Sequence, residues 1–205
     1  MRAMDEPLLV PGLPLKLRPL GEPAARTAVG ERSLTLSAGP RTDWFVPPDG
    51  SGPPVTNAPA FVGDAQGDYV LGARVAVDFA ATYDAGALAL HAGGTLWAKL
   101  CFERSPEGTP MVVSVVTREV SDDCNSFAVD GRQVWLRIAR RGPAFAFHAS
   151  FDGRAWELIR HFGFAKAANP AVGFLAQSPT GDGCTATFEE ISFFPERLQD
   201  IRGGV

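Results

Sequence analysis

Residues 96–103 alternate between apolar side chains and a mixed, largely polar set. The even positions are Leu96, Ala98, Leu100 and Phe102, and the odd positions are Trp97, Lys99, Cys101 and Glu103. A period of two is the pattern of a β-strand that turns one face toward a core. We therefore predict a strand that buries its even positions and presents Trp97, Lys99 and Glu103 on the opposite face.

Similar short segments, rich in Val, Phe, Thr and Ala, recur along the chain and are separated by breakers. The chain has 22 Gly and 17 Pro, and links such as Asp152-Gly153 are typical of tight turns between antiparallel strands. No long helical period competes with this pattern. Strands are predicted over residues 33–38, 69–79, 86–91, 96–103, 111–118, 134–140, 144–150, 156–162, 171–177 and 186–194.

An array of about ten strands must close or stack to hide its apolar faces. We predict an all-β fold, a two-sheet antiparallel jelly-roll sandwich, with a barrel as the alternative. The length of 205 residues fits a single domain over residues 1–205, in which residues 1–28 form an N-terminal arm and edge strand. The breaker-rich stretch from Phe45 to Pro59 is expected to be a surface loop, either a plain connector or a lid beside a sheet.

Charge and hydropathy exclude several classes of partner. The net charge of −4 and the absence of a basic stripe argue against nucleic acid. The apolar residues of the first twenty positions are interrupted by Pro7, Pro11 and Pro14 and preceded by Asp5 and Glu6, which is not a signal-peptide pattern. No run approaches the ~20 apolar residues of a membrane helix. We expect no membrane partner.

The cysteines indicate a reducing compartment. Cys101, Cys124 and Cys184 are odd in number and widely spaced, so a secreted-type disulfide framework is not expected. We predict a cytoplasmic protein with reduced thiols.

Projecting the alternation onto neighbouring strands gives one candidate binding face. A flat indole combined with charged donors and acceptors suits a hydroxyl-rich or anionic small molecule, such as a carbohydrate or polar metabolite. The alternative is a solvated sheet face with cross-strand ion pairs. We expect these side chains to line one concave pocket, with the 45–59 loop near its rim. The predicted ligand-binding residues are Trp97, Lys99, Glu103, Thr117, Arg137 and His148, and Trp135 and Ser150 share the strand faces of the last two.

Catalytic signals are sparse. Glu103 and Asp84 are candidates for general acid and base, since a glycosidase needs two carboxylates about 5 to 9.5 Å apart. An ion pair of Glu103 with Lys99 or Arg137, and a turn cap by Asp84, explain the same residues. Trp156 is expected to pack in the core. The sequence lacks G-x-S-x-G, P-loop and G-x-G-x-x-G motifs.

Metal ligands are also sparse. Residues 121–125, Ser-Asp-Asp-Cys-Asn, form either an acidic turn or a calcium loop, and local side-chain bonding favours the turn. His91, His148 and His161 lack the H-E-x-x-H spacing, and no C-x-x-C pair occurs. We predict neither a metal nor a cofactor.

A series of motifs runs in order from residue 34 to residue 194. It comprises Tyr83-Asp84-Ala85-Gly86-Ala87-Leu88, Trp97-Ala98-Lys99-Leu100-Cys101-Phe102-Glu103, Val115-Val116-Thr117 with Ser121-Asp122-Asp123, Trp135-Leu136-Arg137, Ser150-Phe151-Asp152-Gly153 with Trp156, Val172-Gly173, Ser178-Pro179 with Gly181, and Phe188. This series resembles the regulation-of-enolase-type proteins, a domain family of unknown function. Thr42-Asp43-Trp44-Phe45 is similar to an early Asp-aromatic element of that family, with a different aromatic order.

The resemblance implies a concanavalin A-like jelly roll, an architecture shared by many lectins and glucanases, and it implies no established reaction. Fold alone does not assign a ligand. Three functions therefore stay open: a binding domain for a carbohydrate or polar metabolite, a glycoside hydrolase or lyase with Glu103 as general acid or base, and a protein-interaction domain. The oligomeric state is not predicted.

Overall fold

The computed structural model describes residues 6–164 and 169–205, and those residues form seventeen strands without a helix. The strands are β1 (Leu8–Leu9), β2 (Lys16–Leu20), β3 (Arg26–Gly30), β4 (Ser33–Ala38), β5 (Trp44–Phe45), β6 (Val55–Thr56), β7 (Ala60–Gly63), β8 (Tyr69–Val77), β9 (Ala85–His91), β10 (Leu96–Arg104), β11 (Pro110–Arg118), β12 (Val120–Ala128), β13 (Gln133–Arg141), β14 (Ala144–Ser150), β15 (Glu157–Gly163), β16 (Ala171–Gln177) and β17 (Cys184–Phe194). Every predicted strand is present, with ends that shift by at most two residues.

Two large sheets form a sandwich. The eight-stranded sheet has the order β1-β2-β7-β16-β9-β10-β11-β12, and the seven-stranded sheet has the order β15-β14-β13-β8-β17-β4-β3. A separate small sheet pairs β5 with β6. Every strand pair is antiparallel. The predicted all-β, two-sheet antiparallel sandwich is confirmed.

The main core lies between the two sheets. Ala98, Leu100 and Phe102, three of the even positions of β10, are fully buried there as the alternation predicts, whereas Leu96 is half-buried. Phe174 of β16 meets Phe188 of β17 across the sandwich, with ring centroids 5.0 Å apart. Full burial of each such ring contributes about 2 kcal/mol through the hydrophobic effect.

A second apolar cluster lies on the outer face of the eight-stranded sheet. It forms because residues 42–59, which we call the strap, cross that face. Backbone hydrogen bonds of 3.1 Å join Thr42 to Ser178 in both directions, and the Ser121 amide donates to the Val46 carbonyl over 2.9 Å. Trp44 and Val46 are buried against the sheet. The predicted 45–59 loop is therefore an ordered cover, and it contains β6, which the sequence did not predict.

The segment 121–125 differs from its prediction. These residues belong to β12, which among the described strands pairs with β11 alone and forms an edge of the eight-stranded sheet. They are polar because both faces of an edge strand reach solvent along most of this length. The segment is neither a turn nor a calcium loop. Within residues 6–164 and 169–205, no group of three or more His, Cys, Asp or Glu side chains is placed to hold a metal ion.

The N-terminal segment contributes to both sheets. Strands β1 and β2 form one edge of the eight-stranded sheet, whereas β3 forms an edge of the seven-stranded sheet. Residues 1–28 were predicted to form an arm with one edge strand, whereas this part of the chain contributes to three strands. Its first five residues lie outside the described part of the chain. Across the described residues, no helix is long and apolar enough to cross a membrane.

Candidate functional site

The predicted site residues divide between the two sheets. Trp97, Lys99 and Glu103 on β10 and Thr117 on β11 belong to the eight-stranded sheet, whereas Arg137 and His148 belong to β13 and β14 of the seven-stranded sheet. Their strand neighbours point into the core between the sheets, so the two groups face opposite sides of the sandwich. The prediction of one shared pocket is wrong, because alternation separates inner from outer positions but does not identify the sheet. Trp135 and Ser150 lie with the second group.

Trp97 is covered by the strap. Its side chain is 1% exposed, and the ring of Trp44 lies over it with centroids 5.7 Å apart. The indole therefore cannot offer a free platform to a ligand, contrary to the prediction. Thr117 is also engaged, because its hydroxyl shares a 2.9 Å hydrogen bond with Ser121, whose own hydroxyl accepts from the Val46 amide.

Lys99 anchors the strap. Its ammonium forms an ion pair with Asp43 at 2.9 Å and donates to the amide oxygen of Gln177 over 2.7 Å. Gln177 in turn donates to the Tyr83 carbonyl over 3.2 Å. Burial lowers the pKa of Lys99, but the negative charges around it, Asp43 foremost among the residues, outweigh this effect and raise the pKa above its ordinary value. Lys99 is therefore a charged, fully paired residue beneath the strap.

Glu103 lies on the same face and has no partner among residues 6–164 and 169–205. It is 8% exposed, and no described residue forms an ion pair or a hydrogen bond with its carboxyl group. The expected ion pair is wrong, because Lys99 pairs with Asp43 and Arg137 lies in the other sheet. Burial raises the pKa of Glu103 to about 8, and the charge of Lys99 limits this rise. The carboxyl is mostly neutral at pH 7.

The surroundings of Glu103 combine small and acidic side chains. Strand register places Glu103 between Ala85 and Met111, and Ala85 is one of three buried alanines that β9 presents to this face. Asp123 of β12 reaches solvent on the same side, and its partial burial raises its pKa, an effect that the charge of Lys99 reduces. We call Glu103, Asp123 and the alanines of β9 the Glu103 face.

Asp84 is a structural residue. Its carboxylate accepts hydrogen bonds from the amides of Ala80 and Ala81, over 2.8 and 2.7 Å, and from the Ser178 hydroxyl over 2.6 Å. This fully bonded carboxylate caps a turn, which confirms that interpretation over a catalytic role.

On the opposite sheet, a C-terminal segment covers the remaining predicted residues. His148 is buried, and its Nε2 lies 2.7 Å from the Ile201 carbonyl. Burial lowers the pKa of His148 to about 4, so the ring is neutral at pH 7 and Nε2 donates this hydrogen bond. Trp156 packs on the outer face against Arg137, with the guanidinium 4.0 Å from its ring centroid. The prediction that Trp156 belongs to the core is wrong.

Two residues of the Lys99 network were missed by the sequence analysis. Asp43 and Gln177 lie 56 and 78 positions from Lys99 along the chain, so local alternation carries no information about them. The Asp-aromatic element at 42–45 was the available signal for Asp43.

Comparison with models of known protein families assigns the chain to one of them. A family model described as "Protein of unknown function (DUF1349)" matches residues 20–196. The chain belongs to the DUF1349 family. A family of unknown function was predicted, but the description does not carry the regulation-of-enolase name. A search of curated proteins found no match.

Solved structures show the same fold as this DUF1349 chain. A functionally unknown protein from Saccharomyces cerevisiae has a TM-score of 0.80 at 22% identity, covering 89% of this chain and 97% of that one. The GH43 BlXynB protein from Bacillus licheniformis has a TM-score of 0.64 at 13% identity, covering 82% of this chain and 34% of the enzyme. The VIP36 exoplasmic/lumenal domain, in a Ca2+/Man3GlcNAc-bound form, has a TM-score of 0.54 at 10% identity, covering 98% of this chain and 95% of that one. These likenesses confirm a concanavalin A-like sandwich and show the fold alone.

Glu103 makes the stability of the DUF1349 chain dependent on pH. Its folded-state pKa, about 8, lies above the ordinary value of 4.5, so the folded state binds the proton more tightly than the unfolded state. The resulting stabilisation is complete below pH 4.5 and is lost as the pH rises through 8. We expect the wild type to lose on the order of 4 kcal/mol more than Glu103→Gln between pH 5 and pH 9. Urea unfolding at both pH values measures this, and parallel pH profiles would contradict it.

Proposed function

We propose that this chain is a binding domain for a carbohydrate or a similar hydroxyl-rich metabolite, which it holds at the Glu103 face. The observation that carries the proposal is a nearly buried carboxyl group that has no partner among the described residues and a pKa of about 8. A neutral carboxyl both donates and accepts hydrogen bonds. A sugar hydroxyl also does both, so it can satisfy a group that the protein leaves unpaired.

The electrostatic setting supports a neutral, hydroxyl-rich ligand over an anion. Asp123 and Asp43 add negative charge near Glu103, while Lys99, the cation beside it among the described residues, is already paired with Asp43. An anionic ligand would be repelled by these carboxylates and would find no unpaired cation close to Glu103 among the described residues to compensate for the repulsion. The alanines of β9 are fully buried beneath the strap, so Glu103 and Asp123 are the side chains of this face that would contact a ligand. Sugar binding by the VIP36 domain is consistent with this choice of ligand class.

A second candidate is a glycoside hydrolase or lyase with Glu103 as general acid. The raised pKa of Glu103 favours it, because a general acid must hold its proton at the working pH. Asp123 is the available second carboxylate on this face. One neighbour of the fold is the GH43 BlXynB protein, of which this chain covers 34%. Hydrolysis requires both carboxylates, whereas binding requires Glu103 alone.

Titration calorimetry with xylotriose and mannotriose at pH 6 and pH 9 tests the proposal. We expect the wild type to bind at least one of them at pH 6 and more weakly at pH 9, when Glu103 loses the proton it donates. Glu103→Ala should weaken binding at least tenfold, since two hydrogen bonds of ~1 kcal/mol each are lost. Glu103→Gln, which keeps a donor and an acceptor, should bind equally at both pH values.

The matched control is Glu107→Gln, in the exposed turn that follows β10, and it should behave as wild type. Binding of neither saccharide, or equal affinity of wild type and Glu103→Ala, would overturn the proposal. Release of reducing sugar by wild type but not by Glu103→Gln would establish the enzyme instead.

A further inference from the structure

The outer face of the seven-stranded sheet contains a cavity of about 490 Å³, on the side of the sandwich away from Glu103. Strand register explains it: Ser192, Gly72 and Arg137 form one cross-strand row, and the middle residue has no side chain. Gly72 and Ser192 both line the cavity, and the segment 194–205 borders it. The volume falls in the range of about 300–1,000 Å³ typical of small-molecule sites.

Arg137 is the distinctive group in this cavity. Its side chain is 7% exposed, and one guanidinium nitrogen, Nη2, donates to the Gly204 carbonyl over 2.8 Å. Its Nε atom is buried and has no hydrogen-bond partner among the described residues. No described carboxylate forms an ion pair with it. Burial lowers the pKa of Arg137 only to about 10, so the group keeps its charge at neutral pH.

A buried, charged donor without a counter-charge is costly for a folded protein. Such a group is compensated when a ligand supplies the missing acceptor and negative charge. A carboxylate does both, because its two oxygens match the fork of nitrogens on a guanidinium. The unpaired Nε of Arg137 therefore points to a carboxylate ligand.

Two indoles define the rest of the ligand. Trp156 lies under the guanidinium of Arg137, 4.0 Å away, and holds its plane by a cation–π contact. Trp135 also lines the cavity, two residues before Arg137 on the same face of β13. It packs so closely against Gly153 that a Cβ atom added to Gly153 would lie 2.9 Å from the indole nitrogen. Trp135 is half-buried, with the guanidinium of Arg74 5.6 Å from its ring centroid, and the part of the ring that stays open lines the cavity. A ligand with a flat, mostly apolar ring would pack well against the Trp135 side of the cavity.

The other charged side chains at the cavity favour an anion. Arg32 and Arg197 line it together with Glu190 and Glu196, and Glu190 shares the charge of Arg74 with Glu189, each at 2.9 Å. Counting Arg137, three cationic side chains therefore line the cavity with two acidic ones. This balance is the reverse of the acidic Glu103 face.

We infer that this cavity is a second binding site, which takes a small cyclic carboxylate with its carboxyl group on Arg137 and its ring against Trp135. Both a sugar acid and an aromatic acid have this chemistry. The inference goes beyond the proposed function and shares no residue with it.

Titration with glucuronate, benzoate and uncharged glucose tests the inference. We expect at least one of the two carboxylates to bind with millimolar or tighter affinity and glucose not to bind at this site. Arg137→Gln should weaken that binding at least tenfold, whereas the control Arg141→Gln, on the same strand face and exposed, should not change it. Preference for glucuronate would identify a sugar acid, and preference for benzoate would identify an aromatic acid.

A direct measurement on the wild type covers the case in which Arg137→Gln does not fold. The Nε–Hε nuclear magnetic resonance signal of Arg137 should shift when the bound carboxylate is added and should stay unchanged with glucose. Failure of both carboxylates to bind, or binding that neither moves this signal nor weakens in Arg137→Gln, would overturn the inference. Since the tests of the Glu103 face use uncharged saccharides and other variants, either site can fail alone.

Discussion

Gly173→Ala should leave the protein unfolded or severely destabilised. Gly173 lies on β16 where that strand pairs with β7, opposite Val62. An added Cβ atom would lie 1.9 Å from the carbonyl oxygen of Phe61 and 2.8 Å from the Cα atom of Val62. Both are backbone atoms of the paired strand, so no side chain can rotate away and the ladder itself must open. We expect a loss of about 4 kcal/mol, beyond the usual cost of overpacking.

Thermal unfolding followed by circular dichroism measures this loss, which corresponds to a melting temperature about 8 to 16 °C lower for a domain of this size. Gly39→Ala is the matched control, because an added Cβ atom meets nothing within 4 Å there. It should unfold within about 2 °C of wild type. A Gly173→Ala protein that unfolds together with this control would show that β16 and β7 are not paired in this register.

Lys99→Met should destabilise the protein by about 3 kcal/mol. Methionine keeps most of the volume but removes the charge, so Asp43 loses its ion pair and Gln177 loses a buried donor. Breaking a buried pair from one side is costly because the other charge stays behind. Asp43 is 20% exposed, which reduces the cost below that of a fully enclosed pair.

Urea unfolding of Lys99→Met, Asp43→Asn and the double variant measures the coupling between the two side chains. We expect the double variant to be at least ~1 kcal/mol more stable than the sum of the single losses predicts. Lys16→Met, at an exposed position of β2, is the control and should change stability by less than ~0.5 kcal/mol. Additive losses from the two single changes would mean that Lys99 does not hold the strap through Asp43.

Much of the fold could be predicted from local pattern because burial on one face imposes a period of two. The strand β10 shows this directly, with Leu100 and Phe102 inside and Lys99 and Glu103 outside. The period of two failed to predict strands that do not bury one face and expose the other. The edge strand β12 meets solvent along most of its length, so Asp122 and Asp123 follow each other as in a turn. The strands β5 and β6 have two residues each, too few for a period.

The site was harder to predict because its geometry depends on strand order. Between β12 and β13 the chain passes from one sheet to the other, and nothing in the alternation marks that crossing. Arg137 and His148 are direct cross-strand partners, so the sequence correctly placed them on one face. Their separation from Glu103 follows from long-range pairing, as does the contact between Lys99 and Asp43.

Because the strap packs on the alanines of β9, the sequences of these two separate stretches of the chain constrain each other. Ala85, Ala87 and Ala89 of β9 face it and are completely enclosed, while Leu88 and Leu90 of the same strand are enclosed in the core on the other side. At almost every position of β9, a larger side chain would clash with a neighbouring residue. A relative that carries a bulkier residue at one of the three alanines must therefore also carry a remodelled strap, and a relative that has lost the strap is free to fill this face differently.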